Sequence, residues 1–164
     1  MNIFFLAAKP DECAKMHCDK HVVKMILETA QILCGVHHRS GSAFEIPYRK
    51  THVNHPCVVW AATSLENYLW LVELGRELSK EYTFRYSEDG KEPRTHKSAA
   101  VIEWAASSLP PIESRGFTLP AQAMPDHYRV PDDPVAAYRA YYCGDKAPLL
   151  TYKKREKPEW IVSV

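Results

Sequence analysis

The stretch DKHVVKMILETAQILCG, residues 19–35, decides the fold. Val22, Met25, Ile26, Thr29, Ile32 and Leu33 recur at steps of three and four, the period of one buried helix face. His17, His21, Lys24, Glu28 and Gln31 recur at the same steps on another face, where neighbours three and four apart can touch. The pattern predicts a long amphipathic helix.

Working outward, Pro10-Asp11 opens the helical region, with Asp11 as the expected N-cap. Helical character runs from Glu12 to about His37, and Asp19 suits the cap of a second helix after a break at Cys18. Residues 2–8 read as a short strand or extended segment packed under the domain. Gly35 marks a weakening of the pattern, and residues 38–55 read as a loop. Pro56 suits the first turn of a helix reaching Trp60. Ser64 then suits the cap of a longer helix to about Tyr86, in which Leu65, Tyr68, Leu69, Val72 and Leu78 supply a buried face.

A surface loop is expected at 87–95, and a further helix from about His96 to Ser107. Six of the twelve prolines (110, 111, 120, 125, 131 and 134) fall within 109–134. That density excludes long helices and central strands and predicts an irregular wrap. Asp133-Pro134 pairs an N-cap with an N1 proline and restarts helix to about Cys143. Residues 147–164 read as a basic tail with room for one short turn. The expectation is an all-α or nearly all-α fold, a single compact domain over 1–164 with one core.

The totals fit that expectation. A chain of 164 residues with 46% apolar and 25% charged composition is ordinary globular material. Net charge is +1, so the whole molecule does not attract polyanions. Locally, Arg139, Lys146, Lys153, Lys154, Arg155 and Lys157 outnumber Asp145 and Glu156. That excess suits either phosphate contact or a solvated tail. Five cysteines, an odd number without a scaffold spacing, point to reduced thiols in a cytoplasm. The run Ile3–Ala8 is too short for a secretory signal, and no stretch has the length of a membrane span.

Four groupings carry possible chemistry. His21, Lys24 and Glu28 share a helix face and suit acid–base work or an amine nucleophile beside a carboxylate; they also suit a solvated face with a Lys–Glu pair. Asn54 and His55, ahead of Trp60, suit a helix cap or a substrate pocket. Tyr82 and Arg85, with His96 and Lys97 beyond, suit stacking on a base and contact with phosphate, or the amphipathic end of a core helix. Arg139 and Tyr142 suit phosphate contact or packing on the core. Cys13, His17 and His21 have i, i+4, i+8 spacing. With no CxxC, HExxH or fourth ligand, no metal is expected. The six scattered glycines supply no phosphate loop. No cofactor is expected.

Residues 18–28 (CDKHVVKMILE), Asn54-His55-Pro56 with Trp60, Asn67-Tyr68, Glu81-Tyr82, Arg85-Tyr86, His96-Lys97, Met124-Pro125, and Tyr138-Arg139 with Tyr142 closely resemble a small protein family of tailed phages without an established activity. That likeness spans nearly the whole chain. More distantly, His21, Lys24, Glu28, Ile32-Leu33, His55-Pro56, Trp60 and Arg85 resemble the pyrimidine dimer DNA glycosylase family. This second resemblance implies excision of a damaged or modified base from DNA. An amine attacks the sugar C1′, a Schiff base forms, and a glutamate assists. The best-known branch uses the α-amine freed when Met1 is removed ahead of a small residue. Here Asn2 follows, a bulky residue that normally leaves Met1 in place, so the amine is that of Met1 or of Lys24. The rival expectations are an enzyme acting on free nucleotides or modified-base precursors, and a non-enzymatic protein binding a host factor or nucleotide signal.

Overall fold

A computed structural model describes residues 1–162; residues 163 and 164, the end of the expected tail, lie outside the described residues. Among the described residues there are six α-helices and no strand. They are α1 (Pro10–Met16), α2 (Asp19–Ser40), α3 (Pro56–Ala61), α4 (Leu65–Tyr86), α5 (Ala99–Ser107) and α6 (Pro134–Cys143). Two 3₁₀ turns, Asp126–Tyr128 and Ala147–Leu149, complete the set. The fold is all-α. No helix of the described residues is long and apolar enough to cross a membrane.

Helices α2 and α4 form the central pair, with α1, α3 and α5 packed against them. Val22, Met25, Ile26, Thr29, Ile32 and Leu33 of α2 are all buried, as their spacing demands. Leu71, Leu74 and Leu78 of α4 meet them from the opposite side of one continuous core. Gly35 does not weaken α2. A side chain there would come within 3.2 Å of Val58, so the glycine lets α3 approach closely. The helix ends instead at Gly41, whose φ of 69° is the left-handed conformation of a C-cap.

Local chemistry sets most helix starts. Ser64 accepts from the Asn67 N–H, and Asp133 from the Ala136 N–H. The His55 imidazole caps α3 by accepting from the Cys57 N–H at 3.1 Å. Two expected caps are displaced. Helix α1 starts at Pro10, because proline needs no N–H partner at N1, so Asp11 lies inside the first turn. Helix α2 starts at Asp19, whose carboxylate serves Arg85 and the Lys153 N–H rather than its own helix. Helix α5 starts at Ala99, since His96 stays outside it and accepts from the Ser98 N–H.

Residues 2–8 form no strand: the Leu6 N–H donates to the Phe4 carbonyl at 3.1 Å and the chain bends at residues 7–8, with Ile3–Ala7 buried. The wrap is irregular and tightly fastened. Gln122 and Val130 exchange two hydrogen bonds, and Glu66 of α4 gathers the Ser114 hydroxyl with the N–H groups of Arg115 and Gly116. The basic tail is not a free polycation. Arg155 pairs with Glu81, Lys154 donates to the Phe84 and Ser87 carbonyls at the end of α4, and Lys153 lies over the Tyr86 ring. Most of the local positive excess therefore meets the protein itself.

Candidate active site

The half-buried start of the chain meets α2 at Glu28. The Met1 α-amino nitrogen is 3.7 Å from Glu28 Oε2, and the Asn2 N–H donates to the same oxygen at 2.9 Å. Lys24, one turn earlier on α2, brings its Nζ to 3.5 Å from Glu28 Oε1. The Glu28 side chain is 9% exposed and Lys24 67% exposed, so one carboxylate joins an enclosed α-amine to a solvent-facing lysine.

Asn2 fixes this geometry. Its Oδ1 accepts from the Ile3 N–H at 2.8 Å and the Tyr138 hydroxyl at 3.0 Å, with the Cys57 thiol at 3.7 Å. Its Nδ2 donates to the Ala123 carbonyl at 2.9 Å. Tyr138 is fully buried, and its one hydroxyl proton lies between Asn2 Oδ1 and the Ala121 carbonyl, the latter at 2.7 Å. The start of the chain is thus held by α3, α6 and the wrap together.

His55 faces the same cluster from the N-terminus of α3. Burial pushes its pKa down, the positive charge of the chain's amino terminus adds to this, and Glu28 opposes it. Cys57 is no nucleophile, since burial pushes its thiol up to about 12. Beside the cluster, an open groove of 580 Å³ runs between α3 and the wrap, past Pro56, Leu119, Ala123 and Arg129.

Lys24 and Glu28 meet on α2, His55 lies near enough for the charge of Glu28 to act on its imidazole, and His21 is left out. His21 lies two turns along α2, roughly 10 Å of helical rise from Glu28. Its ring stacks on Phe4 at 4.3 Å, and its Nδ1 is 2.6 Å from the buried Tyr142 hydroxyl. Burial pulls its pKa down to about 3, helped by His17, Lys146 and Lys24. It is a neutral packing imidazole.

Arg85 is the largest departure from expectation. Its side chain is fully buried and saturated by Glu81, Asp19 and the Lys15 and His17 carbonyls. A phosphate has no access to it. Tyr142 is likewise interior, and Trp60 is buried with its indole N–H on the Thr118 carbonyl. Tyr82 stacks on Tyr86 and meets the edge of His96, both rings at 5.2 Å. Arg139 donates to the Leu6 carbonyl and lies over Trp160. Asn54 and Lys97 are exposed, with Asn54 accepting from Arg39.

Cys13, His17 and His21 do not form a ligand set. The Cys13 thiol donates to the Phe4 carbonyl, and His17 Nδ1 meets the Cys13 carbonyl. Among the described residues no three His, Cys, Asp or Glu side chains gather as metal ligands.

The sequence reading gave Asn2, Cys57 and Tyr138 no place in the site: Asn2 entered only as the residue after Met1, and Tyr138 only in the family likeness. Tyr138 lies 136 residues from Asn2, so no spacing rule joins them. The only local signal was an asparagine beside the α-amine.

No curated protein and no solved structure matches the chain. The family model described as pyrimidine dimer DNA glycosylase matches residues 1–92. Those residues are more than half of the 164, and they contain the chain start, Lys24, Glu28 and His55. The chain belongs to the pyrimidine dimer DNA glycosylase family.

Proposed function

We propose that the protein is a DNA glycosylase that excises a damaged pyrimidine, with the chain's α-amine as nucleophile and Glu28 as its acid–base partner. One observation carries this reading: an enclosed amine and a buried carboxylate meet at the start of the chain. Of the two amines beside Glu28, that of Met1 belongs to the better-sheltered residue, with side-chain exposures of 7% for Met1 and 67% for Lys24. Lys24, mostly in solvent, serves better as a charge beside Glu28 and the DNA backbone.

The neutral amine attacks C1′ of the damaged nucleoside. The C1′–N bond breaks, its electron pair leaves with the base, and the base takes up a proton. The amine gives a proton to Glu28, the nitrogen lone pair then forms a protonated Schiff base with C1′ as the C1′–O4′ bond breaks, and O4′ takes the proton from Glu28, which is again a carboxylate. Water then hydrolyses it. Alternatively Glu28 removes a C2′ proton, and the C3′–O bond breaks with loss of the 3′ phosphate, which makes the enzyme a lyase as well. Reaching C1′ requires the nucleotide to leave the stack. Asn54 and Lys97, both exposed, are the remaining candidates for contacts to the DNA backbone.

Borohydride reduction in the presence of duplexes carrying a pyrimidine dimer or an abasic site tests the reading. It should yield a covalent protein–DNA adduct, located by peptide mass spectrometry at the first residue of the chain. Absence of any adduct with both duplexes, and intact strands, removes the proposal.

A further inference from the structure

We propose that Phe117 and Leu119 form an apolar wedge that enters the base stack of duplex DNA and holds it open while the damaged nucleotide lies at Glu28. The inference rests on the glycosylase reading and extends it to residues outside the matched stretch 1–92.

Phe117 is 44% exposed and Leu119 52% exposed, two large apolar side chains displayed on one short arch. A mobile loop would bury them or lose them in disorder, but this arch is clamped. The Leu65 N–H donates to the Glu113 carbonyl, and Glu66 holds residues 114–116. Asn67 bonds the Thr118 N–H at 2.9 Å and its hydroxyl at 2.8 Å, while Trp60 donates to the Thr118 carbonyl at 3.1 Å. Gly116, with φ of 83°, takes a backbone conformation that favours glycine immediately before Phe117. Behind the arch, Phe5, Trp60 and Trp70 lie 6.1–6.4 Å from the Phe117 ring and form a rigid aromatic base.

Position then selects the occupant. Leu119 lines the groove shared with Pro56 and Ala123. Pro56 follows His55, and the Ala123 carbonyl holds the Asn2 side chain. The wedge therefore stands at the lip of the groove that adjoins the amine. Extruding a nucleotide leaves a gap in the stack, and apolar side chains inserted between base steps fill such gaps in other kinked duplexes. Of the other exposed aromatics, Phe84 is covered by the Arg155 guanidinium at 4.4 Å and Phe44 lies edge-on to His37 at 6.2 Å, and neither lines this groove.

The test compares one abasic site in a single strand and in a duplex carrying 2-aminopurine beside it. The single strand needs no wedge. Phe117→Ala/Leu119→Ala should be trapped by borohydride on the single strand at the unmodified rate. On the duplex it should be slower by about tenfold or more, with a smaller rise of 2-aminopurine fluorescence on binding. Leu119→Met should restore the duplex rate. If the double variant melts below the assay temperature, Leu119→Ala alone carries the same comparison. Equal rates on both substrates, or an equal loss on both, overturns the wedge and leaves the glycosylase reading standing. Failure of the unmodified protein to be trapped even on the single strand overturns that reading, and the wedge with it.

Discussion

Glu28 is buried with two amines converging on its two oxygens, so its charge is the hinge of the proposed chemistry. Glu28→Gln keeps the shape and the Asn2 contact but removes the proton acceptor. Its single-turnover trapping rate should fall by about 100-fold or more at neutral pH. Lys24→Ala should behave differently, because its partner bond faces solvent. Exposed ion pairs contribute little, so stability should change by no more than about 0.5–1 kcal/mol, and the adduct should still form. If Lys24→Ala abolishes trapping while Glu28→Gln retains it, the lysine is the nucleophile and the α-amine is not. The i, i+4 spacing of Lys24 and Glu28 was readable in the sequence because both lie on one helix. That Glu28 is buried rather than solvated was not readable, since the segment covering it is Met1–Asn2, 26 residues away.

At the scale of elements, Arg85 binds helix ends together. From the last turn of α4 it reaches the carbonyls of Lys15 and His17 behind α1 and the carboxylate of Asp19 at the start of α2. Burial alone would push Glu81 up, but the guanidinium groups of Arg155 and Arg85 outweigh it and hold Glu81 below the usual carboxylate range. Arg85→Ala leaves Asp19 and Glu81 without their buried partner. It should cost about 3–5 kcal/mol in urea unfolding, because an uncompensated buried charge is far worse than a lost surface pair. A phosphate-binding arginine predicts the opposite result: unchanged stability and a shallower salt dependence of DNA binding. The sequence could not separate the two roles. An arginine among tyrosines suits stacking on a base or packing in a core equally, and the deciding carboxylate, Asp19, is 66 residues distant. Helix starts were legible where the cap is local, as at Ser64 and Asp133. They shifted where a long-range partner claimed the side chain, as at Asp19.

Over the whole molecule, the all-α fold was legible because its signals are periodic and local, whereas the site is assembled from contacts that cross the chain. Asn2 meets Ala123 and Tyr138 through a proline-rich wrap that has no periodicity to read. The same long-range packing has a titratable consequence. His17 and His37 lie wholly within the fold and His21 nearly so, and burial pulls their pKa values down to about 4, about 4 and about 3. In the unfolded chain they titrate near roughly pH 6.5. Their folded values are depressed, so the unfolded state binds more protons below that pH. The stabilisation is complete above about pH 6.5 and is lost as pH falls toward the folded values near 4 and 3. Each proton taken up on unfolding contributes a slope of about 1.4 kcal/mol per pH unit, so three set an upper limit of about 4 kcal/mol per unit. Urea unfolding at pH 7.5, 6.0 and 5.0 should show stability falling over both intervals, and more steeply per pH unit over the second. His37→Gln should flatten that fall by about one proton's slope. A stability that does not change between pH 6.0 and 5.0 means that the three imidazoles accept protons without unfolding, and that the aromatic packing around Phe4 and Trp104 opens to water.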